Sequence, residues 1–222
     1  MAASIYSSRQ HPDATQKSSA CLPGLEHVYL YLDKNHLCFA AKILPGEYYV
    51  SMHNELITTV LGSCIAACIR DVKMGIGGMN HFMLPMGCEV EHLGKTHLTS
   101  ATRYGNFAME ILINEILKAG GDRKRMEVKL FGGGRVLSSM STMDIGKKNI
   151  AFVHEYLQQE GLKVVSEDVG DIYPRKVNFY PESGRVRVKK LKNMHNETIR
   201  QREESYCKSL DQQPVEGEIE LF

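Results

Sequence analysis

The stretch that decides the fold runs from residue 63 to residue 84 and consists of the segments SCIAACIR, DVKM and GIGGMNHFML. Two apolar runs enclose a short polar segment, a pattern that predicts a β-hairpin. If the turn centres on Val72 and Lys73, Cys64 lies directly opposite His81. Side chains that face each other across an antiparallel pair have Cβ atoms ~5 Å apart. The sequence therefore predicts that a thiol and an imidazole meet on one face of this hairpin.

Strands and helices alternate on the C-terminal side of the hairpin. Apolar residues recur at helical spacing over 104–117 and again over 150–157, and Gly120 and Gly161 are placed to end the two helices. The predicted strands are YYV at 48–50 as an edge element, MEVKLF at 126–131, LKVVSEDV at 162–169, and a second hairpin of RKVNFY at 175–180 with RVRVKKL at 185–191. This order of elements is compatible with an α/β fold.

Composition and charge limit the classes of partner. The chain has 222 residues, 43% of them hydrophobic, which is enough for one sizeable core but short for two. Its 27 Lys and Arg against 26 Asp and Glu give a net charge of +1, so no broad field favours nucleic acid or an anionic membrane. We expect a partner that is recognised by shape and local contacts.

The sequence predicts a cytoplasmic protein that does not insert into a membrane. No apolar stretch approaches the ~20 residues that span a bilayer, and the opening MAASIYSSRQHPDA lacks the apolar core of a secretory signal. Cysteines that are scattered rather than densely spaced are typical of free thiols in a reducing compartment. The six cysteines are Cys21, Cys38, Cys64, Cys68, Cys88 and Cys207.

Three segments are predicted along the chain: an N-terminal extension over 1–40, one folded domain over 41–194, and a polar C-terminal tail over 195–222. The tail is interpreted as a helical or disordered appendage. Its run RQREE at 200–204 is typical of a solvated surface.

Cys64 and His81 together suggest nucleophilic catalysis. A cysteine becomes a useful nucleophile when an adjacent histidine or a cluster of backbone N–H dipoles lowers its thiolate pKa. Gly62 and Ser63 just before the cysteine let the backbone approach a substrate closely and aim N–H groups at a developing oxyanion. The alternative remains that Cys64 is a small buried hydrophobe and His81 a structural residue.

The sequence disfavours both a metal site and a phosphate site, and no metal is predicted. The candidate metal ligands are Cys64, Cys68, Cys88, His92 and His97. They contain no CxxC pair, and strand alternation keeps the first two far apart. The glycine run at 132–134 matches neither GxGxxG nor GxxxxGK[ST], so a tight turn is predicted there.

A longer string carries a resemblance to a known family. TTVLGSC at 58–64, followed by GGMNHFMLP at 77–85, closely resembles the CheD family of chemoreceptor glutamine deamidases. The resemblance covers roughly residues 44–192. Its further landmarks, in the family's order, are Arg103–Gly105 with Ala108–Met109, Lys129–Gly133, Ile145–Gly146 with Asn149, and Arg175–Val177. The chain departs from the family's pattern at 169–176 and in the run Gly132–Arg135 after Phe131, and these changes bear on partner and substrate details more than on the chemistry.

The resemblance implies a single-domain α/β layered sandwich of β-sheets flanked by helices. It implies a cysteine hydrolase with Cys64 as nucleophile, His81 as general base and Thr58 as the third residue that orients the imidazole. Gly62 and Ser63 would bind substrate or supply the oxyanion donors. The reaction would convert glutamine to glutamate with release of ammonia through a Cys thioester, and no cofactor is expected.

The implied protein substrates are methyl-accepting chemotaxis receptors, and the resemblance also allows a chemotaxis phosphatase of the CheC type as a partner. Two alternatives of other classes stay open. One is a cysteine peptidase or transglutaminase, which shares the thioester. The other is a binding module that regulates such a phosphatase and in which Cys64 and His81 are silent.

Overall fold

The structure is a computed structural model that describes residues 22–85, 100–136, 145–192 and 197–212. Within these ranges ten strands and three α-helices follow one another along the chain. They are β1 Tyr29–Asp33, β2 Cys38–Lys42, β3 Tyr48–Ser51, β4 Leu56–Leu61, β5 Ile65–Asp71, β6 Gly77–Asn80, α1 Ser100–Lys118, β7 Met126–Gly132, α2 Ile145–Gln159, β8 Lys163–Val169, β9 Arg175–Tyr180, β10 Arg185–Lys190 and α3 Glu197–Gln212.

The strands form two five-stranded sheets. The first has the order β1-β2-β4-β9-β10 and the second β3-β6-β5-β7-β8. Both predicted hairpins are confirmed: β5 pairs antiparallel with β6, and β9 with β10. The predicted edge element at 48–50 is β3, which lies at the edge of the second sheet.

The predicted register of the first hairpin is wrong by two residues. Cys68 pairs with Met79 and Ile65 bridges to Phe82, so Cys64 does not lie directly opposite His81. The turn is longer than expected because the Asp71 carboxylate accepts hydrogen bonds from the backbone N–H groups of Lys73 and Met74. A shift of two residues preserves the faces of a strand, since side chains alternate with a period of two.

The molecule is layered, with the second sheet in the middle. Helices α1 and α2 contact strands of the second sheet, and the two sheets share one apolar core with the helices. Six of the seven residues of β5 are buried, as expected for a strand that is covered on both faces. The expected α/β sandwich of sheets flanked by helices is confirmed.

Helices α1 and α2 end where the sequence predicts. Helix α1 stops at Lys118, and Gly120 follows with a φ of +100°. Helix α2 stops at Gln159, and Gly161 follows with a φ of +65°. Such positive φ values are readily adopted only by glycine, which makes it a common helix terminator.

Helix α3 lies within the predicted polar tail and buries one of its faces. Its residues Ile199, Glu203, Cys207 and Leu210 are buried and lie on one face, at the i, i+4, i+8, i+11 spacing of a packed helix. The expectation of a solvated surface over 200–204 is therefore wrong for Glu203, of which only 2% is exposed. Because a glutamate interrupts the apolar stripe, the amino-acid composition of this segment does not reveal its amphipathic pattern.

None of the helices in the described ranges has the length and apolar character needed to cross a bilayer. The segment with Cys88, His92 and His97, and the N-terminal residues up to Cys21, lie outside the described residues.

Candidate active site

Cys64 lies on a tight turn, residues 62–64, that connects β4 of the first sheet to β5 of the second. The three carbonyl groups of this turn all accept hydrogen bonds. The Gly62 carbonyl accepts from the Gly134 N–H at 2.7 Å, that of Ser63 from Asn149 Nδ2 at 2.9 Å, and that of Cys64 from the Gly133 N–H at 2.8 Å. With the carbonyls held on one side, the N–H groups of the turn point together toward the opposite side.

The glycine run at 132–134 supports this turn rather than a phosphate. Gly132 has a φ of +113°, and a Cβ there would overlap the carbonyl oxygen of Cys64. Glycine is therefore required for the close approach of the two backbones. The predicted tight turn is wrong, since Gly132 ends β7 and residues 133–136 form no turn. The run instead holds the cysteine turn through the N–H groups of Gly133 and Gly134.

His81 follows β6 directly, and its backbone is fixed by the segment before β3. Its N–H donates to the Glu47 carbonyl at 2.9 Å, and its carbonyl accepts from the Gly46 N–H at 2.7 Å. The imidazole is 2% exposed. The side chain is therefore held in a fixed, dry position at the end of the second sheet.

The hydrogen bonds of Thr59 assign the tautomer of His81. Thr59 Oγ1 lies 2.8 Å from the carbonyl oxygen of Ile43 and 2.8 Å from His81 Nδ1. The carbonyl can only accept, so the single hydroxyl proton goes to Ile43 and the hydroxyl oxygen accepts from Nδ1–H. His81 Nε2 then carries the lone pair, and this buried atom has no hydrogen-bond partner among the described residues.

Thr58 does not contact His81. Its hydroxyl donates to Asn178 Oδ1 of β9 at 2.7 Å. Consecutive residues of a strand point to opposite faces, so only one of the two threonines can face the imidazole. The structure gives that contact to Thr59 and not to Thr58, the residue implied by the family pattern.

The structure brings Cys64 and His81 together and adds a third group, Glu203 of α3. The Cys64 sulfur, a ring nitrogen of His81 and a carboxylate oxygen of Glu203 lie within 4.8 Å of one another, and all three residues are buried. The thiol and imidazole thus share one site despite the changed register.

The carboxylate of Glu203 lies in the cluster of N–H groups on the cysteine turn. One oxygen accepts from the N–H of Gly62 at 2.8 Å and from that of Cys64 at 3.3 Å. The other accepts from the N–H and the hydroxyl of Ser63, at 2.9 and 2.7 Å. Successive backbone N–H groups of this kind form an anion-binding concavity. The predicted oxyanion donors of residues 62–64 therefore bind an anionic oxygen pair.

Burial and the neighbouring charges keep the thiol and the imidazole of the site uncharged. Burial and the neighbouring Glu203 carboxylate raise the pKa of the Cys64 thiol well above its usual value. Burial, assisted by the Arg202 charge, lowers the pKa of His81 to about 3. Near pH 7 the thiol and the imidazole are then both uncharged, so the thiolate needed for attack is not populated in this arrangement.

A thiol, an imidazole and a carboxylate at this separation could also ligate a metal ion. The surroundings of Glu203 argue against that use, because both carboxylate oxygens already accept hydrogen bonds from the turn. The positive ends of those N–H dipoles disfavour a cation at the same place. The donor set fits an anion site better than a metal centre.

Two cavities flank α3 and meet at His81. One, of about 430 Å³, extends along Lys42, Pro45 and Lys176 to Arg202. The other, of about 240 Å³, extends along Tyr104 and Phe107 to Tyr206 and Leu210. Residues of α3 thus line both cavities, and the surface that α3 covers beside them is called the groove.

Sequence reasoning missed three residues of the site: Thr59, Asn149 as the support of Ser63, and Glu203. Asn149 is predicted only as a family landmark, and its helical spacing from Ile145 and Val153, which places an amide on the apolar face, is the signal for a buried structural hydrogen bond. Glu203 could have been found from the helical spacing of Ile199, Glu203 and Cys207, which places a carboxylate in an apolar stripe.

Comparison with known proteins identifies the family of this chain. A family model described as CheD chemotactic sensory transduction matches residues 83–190. A curated relative from Halorhodospira halophila, named "Probable chemoreceptor glutamine deamidase CheD", is 54% identical over 203 residues, which are 91% of this chain and 93% of the relative. A protein of the same name from Methylobacillus flagellatus is 56% identical over 193 residues, 87% of this chain and 94% of that protein. The chain belongs to the CheD family.

Proposed function

We propose that this chain is a cytoplasmic chemoreceptor glutamine deamidase, which converts specific glutamine side chains of methyl-accepting chemotaxis receptors to glutamate. The observation that supports the proposal is the position of Glu203. Its carboxylate fits beside Cys64 and His81, against the N–H groups of residues 62–64. That group is the product of glutamine hydrolysis. The names of the relatives support the same activity.

In the first half of the reaction, the Cys64 sulfur attacks the carboxamide carbon of the glutamine. His81 Nε2 takes the thiol proton and returns it to the leaving nitrogen, so ammonia departs and a thioester remains. The backbone N–H groups of the turn stabilise the oxyanion that forms on the amide oxygen. Entry of a neutral amide in place of the Glu203 carboxylate removes a negative charge from beside the sulfur, which favours the thiolate.

In the second half, His81 takes a proton from a water molecule that attacks the thioester carbon. The sulfur leaves and recovers a proton, and the side chain departs as glutamate. The reaction consumes one water and releases one ammonia for each glutamine, so its atoms balance without a cofactor or metal. Chelation of divalent metals should leave the rate unchanged.

Thr59 is proposed as the residue that positions His81, in place of Thr58. Thr59→Val leaves the Nδ1–H of a buried imidazole without an acceptor, at a cost of ~1–3 kcal/mol, so we expect kcat to fall about 10- to 100-fold. KM should change little because the Thr59 hydroxyl is already paired with Ile43 and His81. The pH profile of kcat should shift as well, since the preferred tautomer of His81 is lost.

Thr58→Val is the matched control, since it removes a buried hydroxyl one residue away that bonds only Asn178. It should retain most of the activity, and Thr59→Ser should restore most of what Thr59→Val loses. A loss confined to Thr58→Val, with Thr59→Val unaffected, would return the role to Thr58.

Helical presentation of Glu203 also favours a deamidase over a peptidase. A helix can place one side chain beside the nucleophile while its backbone carbonyls remain hydrogen-bonded inside the helix. A peptidase instead needs the backbone carbonyl of the scissile bond to be exposed to the nucleophile. A chemotaxis phosphatase of the CheC type remains a proposed second partner, and it would bind without being modified.

The activity is tested by incubating the purified chain with cytoplasmic fragments of chemoreceptors. We expect ammonia release together with Gln-to-Glu conversion at specific receptor positions, mapped by mass spectrometry. Chain cleavage would indicate a peptidase, and cross-linked products a transglutaminase. Receptors that keep every glutamine, with a phosphatase whose activity changes on binding this chain, would favour the regulatory module instead.

A further inference from the structure

Helix α3 closes the site with a side chain that has the chemistry of the reaction product. Glu203 receives four hydrogen bonds from residues 62–64, three from backbone N–H groups and one from the Ser63 hydroxyl. Cys64 is 0% exposed beneath it. No external glutamine can reach the sulfur while Glu203 occupies this place.

The fit of Glu203 is as close as the backbone permits. A Cβ at Gly62 would lie 2.7 Å from Oε2 and 2.8 Å from Oε1 of Glu203, closer than real Cβ contacts. The nearest atoms to that Cβ all belong to Glu203. The absence of a side chain at position 62 therefore makes the space in which the carboxylate lies.

The groove covered by α3 borders two cavities, and His81 lines both of them. Exposed apolar side chains lie along its margins: Tyr29 and Leu44 beside the larger cavity, and Phe107 beside the smaller. An open groove with an apolar margin is suited to bind another protein segment. The part of the groove at the nucleophile is the part that α3 fills.

The contacts of α3 outside Glu203 are those of a docked helix. Ile199, Cys207 and Leu210 bury one face, and the hydroxyl of Tyr206 contacts that of Tyr104. Gly46 lets the Tyr206 ring approach the loop that fixes His81, since a Cβ there would lie 2.8 Å from the Tyr206 hydroxyl oxygen. The helix is thus seated along the groove as well as anchored at its centre.

We propose that α3 is a built-in product mimic: Glu203 takes the place of the deamidated side chain, and α3 takes the place of a helical segment of the protein substrate. The inference rests on the proposed function. Helix α3 has to leave the groove before a substrate helix can bind, so the covered form is inactive toward other proteins. The rate on an external substrate is then scaled by the fraction of molecules in which α3 is displaced.

The neutral thiol and imidazole of the covered form agree with this inhibited state. Displacement of α3 returns solvent to Cys64 and His81 and removes the Glu203 charge from beside the sulfur, and both changes favour the reactive thiolate. The same movement therefore opens the groove and activates the nucleophile.

The test compares full-length wild type with Glu203→Arg and with Glu204→Arg. Glu203→Arg places a cation among N–H groups and forces α3 from the groove, while Glu204→Arg makes the same charge change at the adjacent, half-buried position. We expect Glu203→Arg to raise both Cys64 alkylation by iodoacetamide and deamidation of chemoreceptor fragments at least ~10-fold. Glu204→Arg should match wild type in both measurements.

A second variant uses the mimicry itself. Glu203→Gln places a side-chain amide on α3 beside Cys64, where attack by the sulfur, loss of ammonia and hydrolysis by water return a glutamate at position 203. We expect this conversion in the purified protein by mass spectrometry, and not in Cys64→Ala combined with Glu203→Gln. Gln201, exposed on the same helix, is the internal control and should stay unchanged.

Three outcomes separate the possibilities. Unchanged Cys64 alkylation in Glu203→Arg would overturn the covering role of α3. Faster alkylation with loss of receptor deamidation would make Glu203 a part of the catalytic machinery and overturn the mimic. In the third outcome, alkylation rises and glutamine at position 203 is converted to glutamate while no variant modifies receptor fragments. That result would support the product mimic and contradict the proposed receptor substrate.

Discussion

Cys64→Ala is expected to abolish deamidation of chemoreceptor fragments, with a loss of roughly 10⁴-fold or more. In the proposed mechanism the sulfur supplies the attacking electron pair, and Cys64 carries the only thiol on the turn of residues 62–64. His81→Ala should cost a similar factor, and the double variant little more than either single one, because nucleophile and base act as a unit. Ammonia release and receptor mass spectrometry measure all three variants.

Cys68→Ala is the matched control for this loss. Cys68 lies four residues farther along on β5, is 1% exposed, and pairs with Met79 of β6 away from the N–H cluster. Its replacement should lower stability slightly and leave the rate per folded molecule unchanged. Deamidation by Cys64→Ala at the wild-type rate would remove Cys64 from the mechanism.

Gly62→Ala is expected to lower deamidation about 100-fold, comparable to the loss of an oxyanion donor. The added methyl group would occupy the space in which the Glu203 carboxylate lies, 2.7–2.8 Å from its oxygens. If substrate glutamine uses the same space, it is excluded as well. The φ of Gly62 is not positive, so alanine is compatible with the backbone and the variant should fold.

The same variant separates exclusion of substrate from release of α3. Gly62→Ala should expel Glu203 and raise Cys64 alkylation while deamidation falls, whereas Glu203→Arg should raise both. Ser63→Ala, which removes a hydroxyl without adding bulk, should cost less than Gly62→Ala. A Gly62→Ala enzyme that is faster than wild type on receptor fragments would show that substrate does not enter where Glu203 lies.

The sequence was sufficient for the hairpin that carries the site, because its apolar runs and polar turn constrain a local structure. The register was not predictable from the turn alone, since the Asp71 side chain shapes a longer turn through its own hydrogen bonds. Cys64 and His81 still meet because a shift of two residues keeps every side chain on its face.

The choice between Thr58 and Thr59 depends on which face of β4 is turned to the second sheet. Both residues are buried and both hydroxyls are paired, so neither burial nor residue type distinguishes them. Only the packing of the two sheets places His81 against Thr59. The family pattern, which implies Thr58, does not contain that three-dimensional information.

The role of Glu203 was not predicted from the sequence, for a different reason. Its partners lie about 140 positions earlier in the chain, on the turn 62–64, and a run such as RQREE is typical of solvent. A buried carboxylate requires hydrogen-bond donors from elsewhere in the fold, and no local pattern announces them. The periodicity of α3 indicates a buried face but not what that face covers.

The central claim is that Cys64 forms a thioester with the side chain of a receptor glutamine. Hydroxylamine tests it most directly, because it competes with water for an acyl-enzyme and leaves a hydroxamate on the substrate. With wild type, we predict hydroxamate at the receptor positions that otherwise become glutamate, in proportion to the hydroxylamine supplied, and none with Cys64→Ala. Normal glutamate formation without hydroxamate at any hydroxylamine concentration would contradict the account.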